Sequence, residues 1–213
     1  MDLFESFEKL PEDKKSKIIN ICIEEFAEYG YQKASTNRIV EKAEISKGIL
    51  FHYFGSKKKL FIYLLDYVME YYEEITKEYI KEELPKDIFE RIMYLSMVKL
   101  KIVSETSPAL LDFMTRAFID KPKEINIDFM ERYKDFSNMV KGFYMQDYDK
   151  SKFKEDIDFN KAIEMIFFIR EGMSNKYVKI YKGREKDIVK DYDKIMKEFE
   201  KYLDILKWGL YKK

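Results

Sequence analysis

Residues 36–57 read TNRIVEKAEISKGILFHYFGSK, and this stretch decides the fold of the chain. Ile39, Val40 and Ala43 are spaced as the apolar face of a short helix. The apolar pattern then breaks, and Ser46 is a good N-cap for a second helix that begins at the next residue. The stretch therefore predicts two short helices joined by a tight turn.

The second of these helices has two different faces. Successive residues turn by about 100°, which groups four residues into a basic and aromatic face: Lys47, Gly48, Phe51 and His52. The opposite face is predicted to consist of Ile49, Leu50 and Tyr53. A face that is basic, aromatic and without a side chain at one position suits close contact with a phosphate backbone and base edges.

The composition of the 213 residues restricts the class of protein. Lys and Arg (40) balance Asp and Glu (40), but residues 31–60 contain seven basic and two acidic residues, a local charge of +5. Such a local excess is expected when one module binds a polyanion and the rest of the chain does something else. The single cysteine, Cys22, excludes a disulfide framework and a cysteine-based metal cluster, so we expect no metal and no cofactor.

The hydropathy pattern is that of a helical protein without a membrane segment. The chain has no long apolar run, and its N-terminus lacks the apolar core of a signal peptide, so we expect no membrane partner and a cytoplasmic location. Glycine (seven) and proline (four) are scarce, and strand-like alternation is not evident. The predicted fold class is therefore all-α.

The apolar spacing predicts a series of helices. The first covers residues 13–29 and is stopped by Gly30, and a long helix capped by Ser56 covers residues 57–83. Further helices are expected over residues 87–104, 108–119, 123–146, 158–181 and 185–211.

The last two helices carry regular apolar seams, whose residues step by three and four as in a coiled coil. The residues expected at a dimer interface are Ile169, Met173, Tyr177, Ile195, Phe199, Tyr202 and Leu206. Two such helices predict a four-helix interface with the same pair from a second copy, and hence a homodimer. The seam is equally compatible with packing into the chain's own core, and the sequence leaves both alternatives open.

The N-terminal quarter of the chain also carries a family pattern. It consists of Phe26, Gly30, Tyr31, Thr36, Ile39, Val40, Ala43, Ile45, Ser46, Gly48, Phe51, Phe54, Lys57 and Leu60. With this spacing the sequence resembles the tetracycline-repressor (TetR) family of bacterial transcription regulators. The resemblance implies a helix-turn-helix DNA-binding domain over residues 1–55 and a helical ligand-binding and dimerisation domain over residues 56–213.

The resemblance implies a homodimeric transcriptional regulator. Such a protein would be a repressor that binds double-stranded DNA at a palindromic operator and is released by a small, largely apolar effector. The residues implied to contact DNA are Thr36, Asn37, Ser46, Lys47, Gly48, Phe51, His52, Tyr53 and Lys57. Gly48 would let the helix backbone approach the major groove, and Lys57 would neutralise a phosphate across it.

Two residues depart from the family pattern. Glu44 stands where the family prefers glycine, which is awkward if the turn needs a positive φ, and it brings a negative charge near DNA. Phe51 replaces the usual tyrosine and lacks the hydroxyl that would donate to a phosphate. We expect weaker or differently tuned DNA binding from these two residues.

The C-terminal region is rich in methionine and aromatic residues, which suit an adaptable apolar pocket as well as an ordinary core. In the TetR family this region holds a small-molecule cavity. The residues expected to line it are Met93, Met97, Phe113, Met114, Arg116, Phe118, Phe168 and Glu171. Arg170 is a further candidate for a polar anchor.

Other classes of function fit the sequence less well. An enzyme is not expected, because one histidine and one embedded cysteine supply no nucleophile with its base, and no Gly-rich phosphate loop is present. Two alternatives remain open. One is a dimeric helical module that binds other proteins, and the other is a DNA-binding protein of the same fold that no small ligand controls.

Overall fold

A computed structural model describes residues 4–80, 83–120, 125–181 and 186–212 of the chain. Within these ranges the chain is helical and has no strand beyond an isolated bridge between Phe153 and Tyr211. The all-α prediction is therefore confirmed. None of the described helices is long and apolar enough to cross a membrane.

Eleven α-helices lie within the described residues. In chain order they are α1 (Glu5–Glu8), α2 (Glu12–Lys33), α3 (Thr36–Ala43), α4 (Lys47–Phe54), α5 (Lys57–Tyr79), α6 (Ile88–Glu105), α7 (Pro108–Asp120), α8 (Asn126–Met145), α9 (Phe159–Ile180), α10 (Lys186–Lys190) and α11 (Tyr192–Leu210). The chain forms two compact units. The first is formed from the described parts of residues 1–78 and 105–140, and the second from those of residues 79–104 and 141–213.

The first unit has one apolar core that both of its segments share. The ring centroid of Phe113 in α7 lies 5.1 Å from that of Phe61 in α5 and 6.4 Å from that of Phe26 in α2. All three side chains are buried. Cys22 lies in the same cluster, and burial raises the pKa of its thiol to about 12. Its predicted role in core packing is confirmed.

A kink divides α2 near its C-terminus. Gly30 has φ 68° and ψ 168°, a combination that is essentially restricted to glycine. The helical turn after it continues only to Lys33. The predicted stop at Gly30 is therefore present as a kink, after which the chain turns toward α3.

The second unit is fixed at one point by the buried side chain of Arg91 in α6. Its guanidinium donates to the carbonyl oxygens of Pro85 (2.7 Å), Gln146 and Asp147 (3.1 Å). The first acceptor precedes α6 and the other two follow α8. One side chain therefore links the segment before α6 to the segment after α8.

The observed helices differ from the predicted ones in two places. α5 ends at Tyr79, one turn earlier than predicted, and the predicted final helix is divided at Asp191 into α10 and α11. Asp191 has ψ 8°, and its carboxylate accepts a hydrogen bond from the Tyr181 hydroxyl (2.6 Å). Sequence spacing cannot reveal such a tertiary contact. The predicted helix starts at 123 and 185 lie outside the described residues.

Candidate nucleic-acid interface

The helices α3 and α4 are joined by the tight turn that the sequence predicts. Glu44 adopts the left-handed conformation (φ 57°, ψ 38°), so this position does need a positive φ. Ser46 accepts a hydrogen bond from the backbone N–H of Ile49 (3.2 Å). The prediction that Ser46 caps α4 is confirmed.

The carboxylate of Glu44 is paired with a lysine from α2. Lys17 Nζ lies 2.5 Å from the Glu44 Oε2 atom, and this bond holds the pKa of Glu44 below its usual value. The pair therefore favours the folded state at neutral pH, and its contribution is lost as the pH falls through the pKa of the folded protein. The same pairing reduces the negative charge that Glu44 brings near α4.

Replacing Glu44 with glycine should raise the melting temperature by about 3 °C. The substitution removes a strained left-handed backbone and loses only an exposed ion pair. Scanning calorimetry measures the change. The control Glu41→Gly places glycine in the helical backbone of α3 and should lower the melting temperature. A lower value for Glu44→Gly would mean that the pair with Lys17 outweighs the backbone strain.

A buried carboxylate fixes the start of α3. Glu25 of α2 is 0% exposed and accepts hydrogen bonds from the backbone N–H of Ser35 (2.7 Å) and from the Arg38 guanidinium (Nε 2.9 Å, Nη2 2.5 Å). The bond to Glu25 raises the pKa of Arg38. The Arg38 guanidinium also lies 4.0 Å from the centre of the Tyr29 ring. α3 is thus attached to α2 by charged hydrogen bonds as well as by apolar packing.

The face of α4 that points away from the core consists of exposed residues: Lys47, Gly48, Ile49 and His52. The inward prediction for Ile49 is wrong, because its side chain is 41% exposed. Around the helix axis Ile49 lies only about 60° from His52, so a strict angular reading would have placed it on the outer face. An exposed aliphatic side chain at this position is suited to contact with a thymine methyl group.

Two aromatic residues flank this outer face. Phe51 is half-buried, and Lys47 Nζ lies 6.0 Å from its ring centre. Tyr53 is also half-buried, with its ring centroid 5.5 Å from that of Phe7 in α1. The ring of Tyr53 therefore packs against the core and exposes only part of its surface. In the first turn of α3, Thr36 is half-buried and Asn37 is exposed.

Gly48 is not required by packing within the chain. A Cβ atom at this position would meet only Ser46 Oγ, at 3.8 Å, which is an ordinary contact. Glycine is unfavourable in a helix, since it gains no packing and loses more conformational freedom on folding than alanine does. The missing side chain therefore leaves room for a partner outside the chain.

The basic side chains near α3 and α4 fall into two groups. Lys42 and Lys47 are exposed and have no carboxylate partner among the described residues. Lys58 pairs with Asp128 (3.0 Å). Lys57 Nζ donates to the carbonyl oxygen of Gln32 (3.2 Å), so a phosphate would have to share or replace this bond.

The residues predicted to line a ligand cavity are divided between the two units. Phe168 and Glu171 lie at a pocket of about 340 Å³ in the second unit, also lined by Met145, Tyr148, Asn160, Ile163, Glu164 and Phe167. In α6, Met93 is half-buried and Met97 is exposed. No group of three or more His, Cys, Asp and Glu side chains suited to a metal ion occurs in the part of the chain that the structure describes.

The remaining predicted ligand residues lie on α7 in the first unit. Phe113 belongs to the core of this unit and is 1% exposed, because it packs between α2 and α5. Met114 is half-buried and Arg116 is exposed. The side chain of Phe118 lies outside the described part of the chain. The ligand role of these residues stays a prediction.

The residues predicted at a dimer interface do not share one environment. Phe199 and Leu206 are buried in the second unit, whereas Tyr202 is exposed. The other four, which are Ile169, Met173, Tyr177 and Ile195, are half-buried. Part of the seam thus packs into the core of its own unit, and the dimer interface stays a prediction.

Two family models match the chain. One, described as bacterial regulatory proteins of the tetR family, matches residues 18–64, which include α3 and α4. The other, described as a tetracyclin repressor-like C-terminal domain, matches residues 86–211, which is more than half of the chain. The resemblance seen in the N-terminal quarter is therefore confirmed, and the second match extends it to the C-terminal part of the chain.

Curated relatives match about a quarter of the chain. The HTH-type transcriptional repressor AcnR of Corynebacterium efficiens is 39% identical over 54 residues, and the HTH-type transcriptional regulator QacR of Staphylococcus aureus is 38% identical over 52 residues. The matches cover 25% and 24% of this chain, and 29% and 28% of those proteins. The chain thus spans less than a third of the length of the curated relatives it matches. Both names describe regulators rather than enzymes, in agreement with the prediction.

Solved structures resemble almost the whole chain. A TetR family transcriptional regulator from Chloroflexus aurantiacus is 24% identical with a TM-score of 0.59 and 98% coverage of both chains. The fatty acid degradation regulator FadR of Bacillus halodurans is 20% identical with a TM-score of 0.65, covering 90% of this chain and 97% of that one. FadR of Bacillus subtilis in complex with stearoyl-CoA is 18% identical with a TM-score of 0.59, covering 86% and 96%. At these identities the likeness shows a shared fold.

Proposed function

Because the chain belongs to the TetR family of bacterial regulatory proteins, we propose that it is a homodimeric repressor that binds a palindromic operator through α3 and α4. A small ligand held in the second unit releases it from the DNA. The observation that carries the proposal is the outer face of α4. There an exposed lysine stands beside a glycine that the chain's own packing does not require.

Each part of this face has a role in groove binding. Lys47 neutralises a phosphate, and Gly48 allows the α4 backbone to lie close to the base edges. Ile49 and Phe51 supply apolar contacts to thymine methyl groups and sugars. Thr36 and Asn37, at the start of α3, donate to phosphates of the DNA backbone. Two such heads related by a twofold axis read a palindrome.

The first test measures binding to the duplex immediately upstream of the protein's own gene. Fluorescence anisotropy monitors this binding at two salt concentrations. Binding should weaken steeply with salt, and Lys47→Ala should weaken it by about tenfold and reduce the salt slope by about one. The change removes a phosphate contact and leaves the fold intact, since Lys47 is exposed. The control Lys179→Ala removes an exposed lysine on α9 and should bind as the parent does.

A negative result has a definite meaning. If neither this fragment nor a library of random palindromes binds at low salt, DNA binding is refuted and the protein-interaction alternative takes its place. If Lys47→Ala binds as tightly as the parent, the protein contacts DNA by a surface other than α4.

A second copy of the chain is proposed to cover an apolar face of α11. Tyr202 (43% exposed), Ile205 (70%) and Trp208 (80%) follow one another at intervals of three, so they lie on one side of this helix. Gly209 is on the same side, and a Cβ there would meet no atom within 4 Å. Large exposed apolar side chains beside a glycine favour close contact with another helix.

Replacing Ile205 with glutamate should weaken the dimer by about thirtyfold or more. A carboxylate at the centre of this face would lose its hydration when the second copy binds. Sedimentation equilibrium measures the monomer–dimer constant. Ile205→Met keeps an apolar side chain and should leave the constant nearly unchanged. Equal dimerisation of the glutamate variant and the parent would place the interface elsewhere.

The effector is proposed to be a small organic molecule bound in the second unit. The solved complex of FadR from Bacillus subtilis holds stearoyl-CoA, which supports small-molecule control in a protein of this fold. The pocket of about 340 Å³ beside α9 is within the range of small-ligand sites.

A further inference from the structure

Arg170 of α9 is a cation with no anionic partner in the described part of the chain. Its Nε atom is buried and has no hydrogen-bond partner, and no carboxylate pairs with its guanidinium among the described residues. The guanidinium carbon lies 5.1 Å from the ring centre of Tyr144 and 5.5 Å from that of Phe167. The aromatic faces hold the guanidinium in place but do not neutralise its charge.

A second cation lies near Arg170. Lys99 of α6 also has no carboxylate partner in the described part of the chain. The pKa of Lys99 is lowered, first because neighbouring protein atoms reduce the hydration of its ammonium and second because of the positive charge of Arg170. Two like charges that repel each other in this way, with no acid between them, are unfavourable in the ligand-free protein.

Neutral aromatic groups lie beside Arg170. Tyr144 of α8 is buried against Phe167, with ring centroids 5.8 Å apart. The Tyr192 hydroxyl at the start of α11 donates to the carbonyl oxygen of Ser96 (2.8 Å). Burial raises the pKa of Tyr192 to about 12, so its hydroxyl stays protonated at neutral pH. The site thus combines two positive charges with aromatic and hydroxyl groups from four helices.

We propose that Arg170 and Lys99 together bind the negatively charged group of an organic anion whose apolar or aromatic body lies against the rings of Tyr144 and Phe167. The anion supplies the charge that the two cations lack, and a guanidinium is suited to bidentate contact with a carboxylate or a phosphate. This inference rests on the proposed function, since it assigns the chemical class of the effector.

The pocket lined by Glu164 and Glu171 carries the opposite charge, but the charge of these glutamates is already compensated by a lysine or by water. Glu164 is already paired with Lys161 (2.9 Å), and both glutamates are exposed to solvent. An exposed carboxylate is well hydrated and gains little from a cation. The uncompensated charge in this unit is therefore positive, which favours an anionic effector.

The test compares two fluorescent probes that share one ring system. One is 8-anilinonaphthalene-1-sulfonate, an organic anion, and the other is N-phenyl-1-naphthylamine, which lacks the sulfonate. The anion should bind the full-length protein about tenfold more tightly than the neutral probe. This preference should disappear in Arg170→Met and in Lys99→Met, and it should persist in Lys179→Met, which removes an exposed lysine farther along α9.

A second readout separates a binding role from a structural one. Arg170→Met keeps an apolar side chain beside the two rings and removes the repulsion, so the melting temperature of the ligand-free variant should equal or exceed that of the parent. Lys99→Met provides the same test on α6, since it removes the other positive charge.

Equal binding of the two probes, absence of binding by the anion, or unchanged anion affinity in both variants would overturn the proposal. These measurements use the protein without DNA. Failure of operator binding would therefore leave this inference standing, and failure of the charge preference would leave the DNA-binding proposal standing.

Discussion

Gly48→Ala should weaken operator binding by about thirtyfold while making the free protein more stable by about 0.5 kcal/mol. The added methyl group meets no close atom within the chain, so the helix gains from the better helix former. On DNA the same methyl group would hold the α4 backbone away from the groove. Fluorescence anisotropy measures the affinity, and urea unfolding measures the free energy of folding.

A matched control for this substitution is Gly142→Ala in α8. Its Cβ would meet Gln146 Nε2 at 3.6 Å, an ordinary contact, so the protein should be stabilised without a change in DNA affinity. For Gly48→Ala the informative result is higher stability of the free protein together with weaker operator binding. If Gly48→Ala were destabilised, or if it bound the operator as the parent does, the close approach of α4 to the groove would be refuted.

Glu25→Ala should destabilise the first unit by about 2–3 kcal/mol and abolish measurable operator binding at physiological salt. The substitution removes the acceptor for the Ser35 N–H and leaves Arg38 without its partner. Arg38 is partly exposed and can be hydrated, so the cost is below that of breaking a fully buried pair. Without this anchor the start of α3 loses its fixed position against α2.

The control for Glu25→Ala is a substitution of the neighbouring residue. Glu24→Ala removes an exposed carboxylate one residue earlier in α2 and should change the unfolding free energy by less than about 0.5 kcal/mol. Unfolding in urea, read by circular dichroism, distinguishes the two variants. A Glu25→Ala protein with parental stability and parental DNA affinity would show that apolar packing alone positions α3.

Much of the fold follows from local sequence signals. Apolar spacing and caps predict helices because both act within a few residues, and Ser46 is an example. The division between α10 and α11 follows instead from a bond between Tyr181 and Asp191. No glycine or proline marks it, so the regular apolar spacing continues across the break.

The site was predictable to a similar extent. The outer face of α4 follows from the position of each residue around the helix axis, and Ile49, which a division into two opposite faces places inward, belongs to it as well. Glu25 was missed, although a charged residue three positions after Cys22 within an apolar stripe is a visible signal of a buried ion pair. The proximity of Lys99 to Arg170 depends on the packing of α6 against other helices, which no local pattern contains.

The shared core of the first unit has a consequence for exchanging parts between relatives. Phe113 of α7 packs against Phe26 and Phe61, so α7 completes the core beneath α3 and α4, the helices proposed to contact DNA. A chimera that takes only residues 1–55 from this chain would place those helices on a foreign α7 and leave Phe26 poorly matched. A graft that carries residues 4–78 together with 105–120 would keep α7 in the core of this unit. It would therefore transfer the operator specificity together with the core that supports α3 and α4.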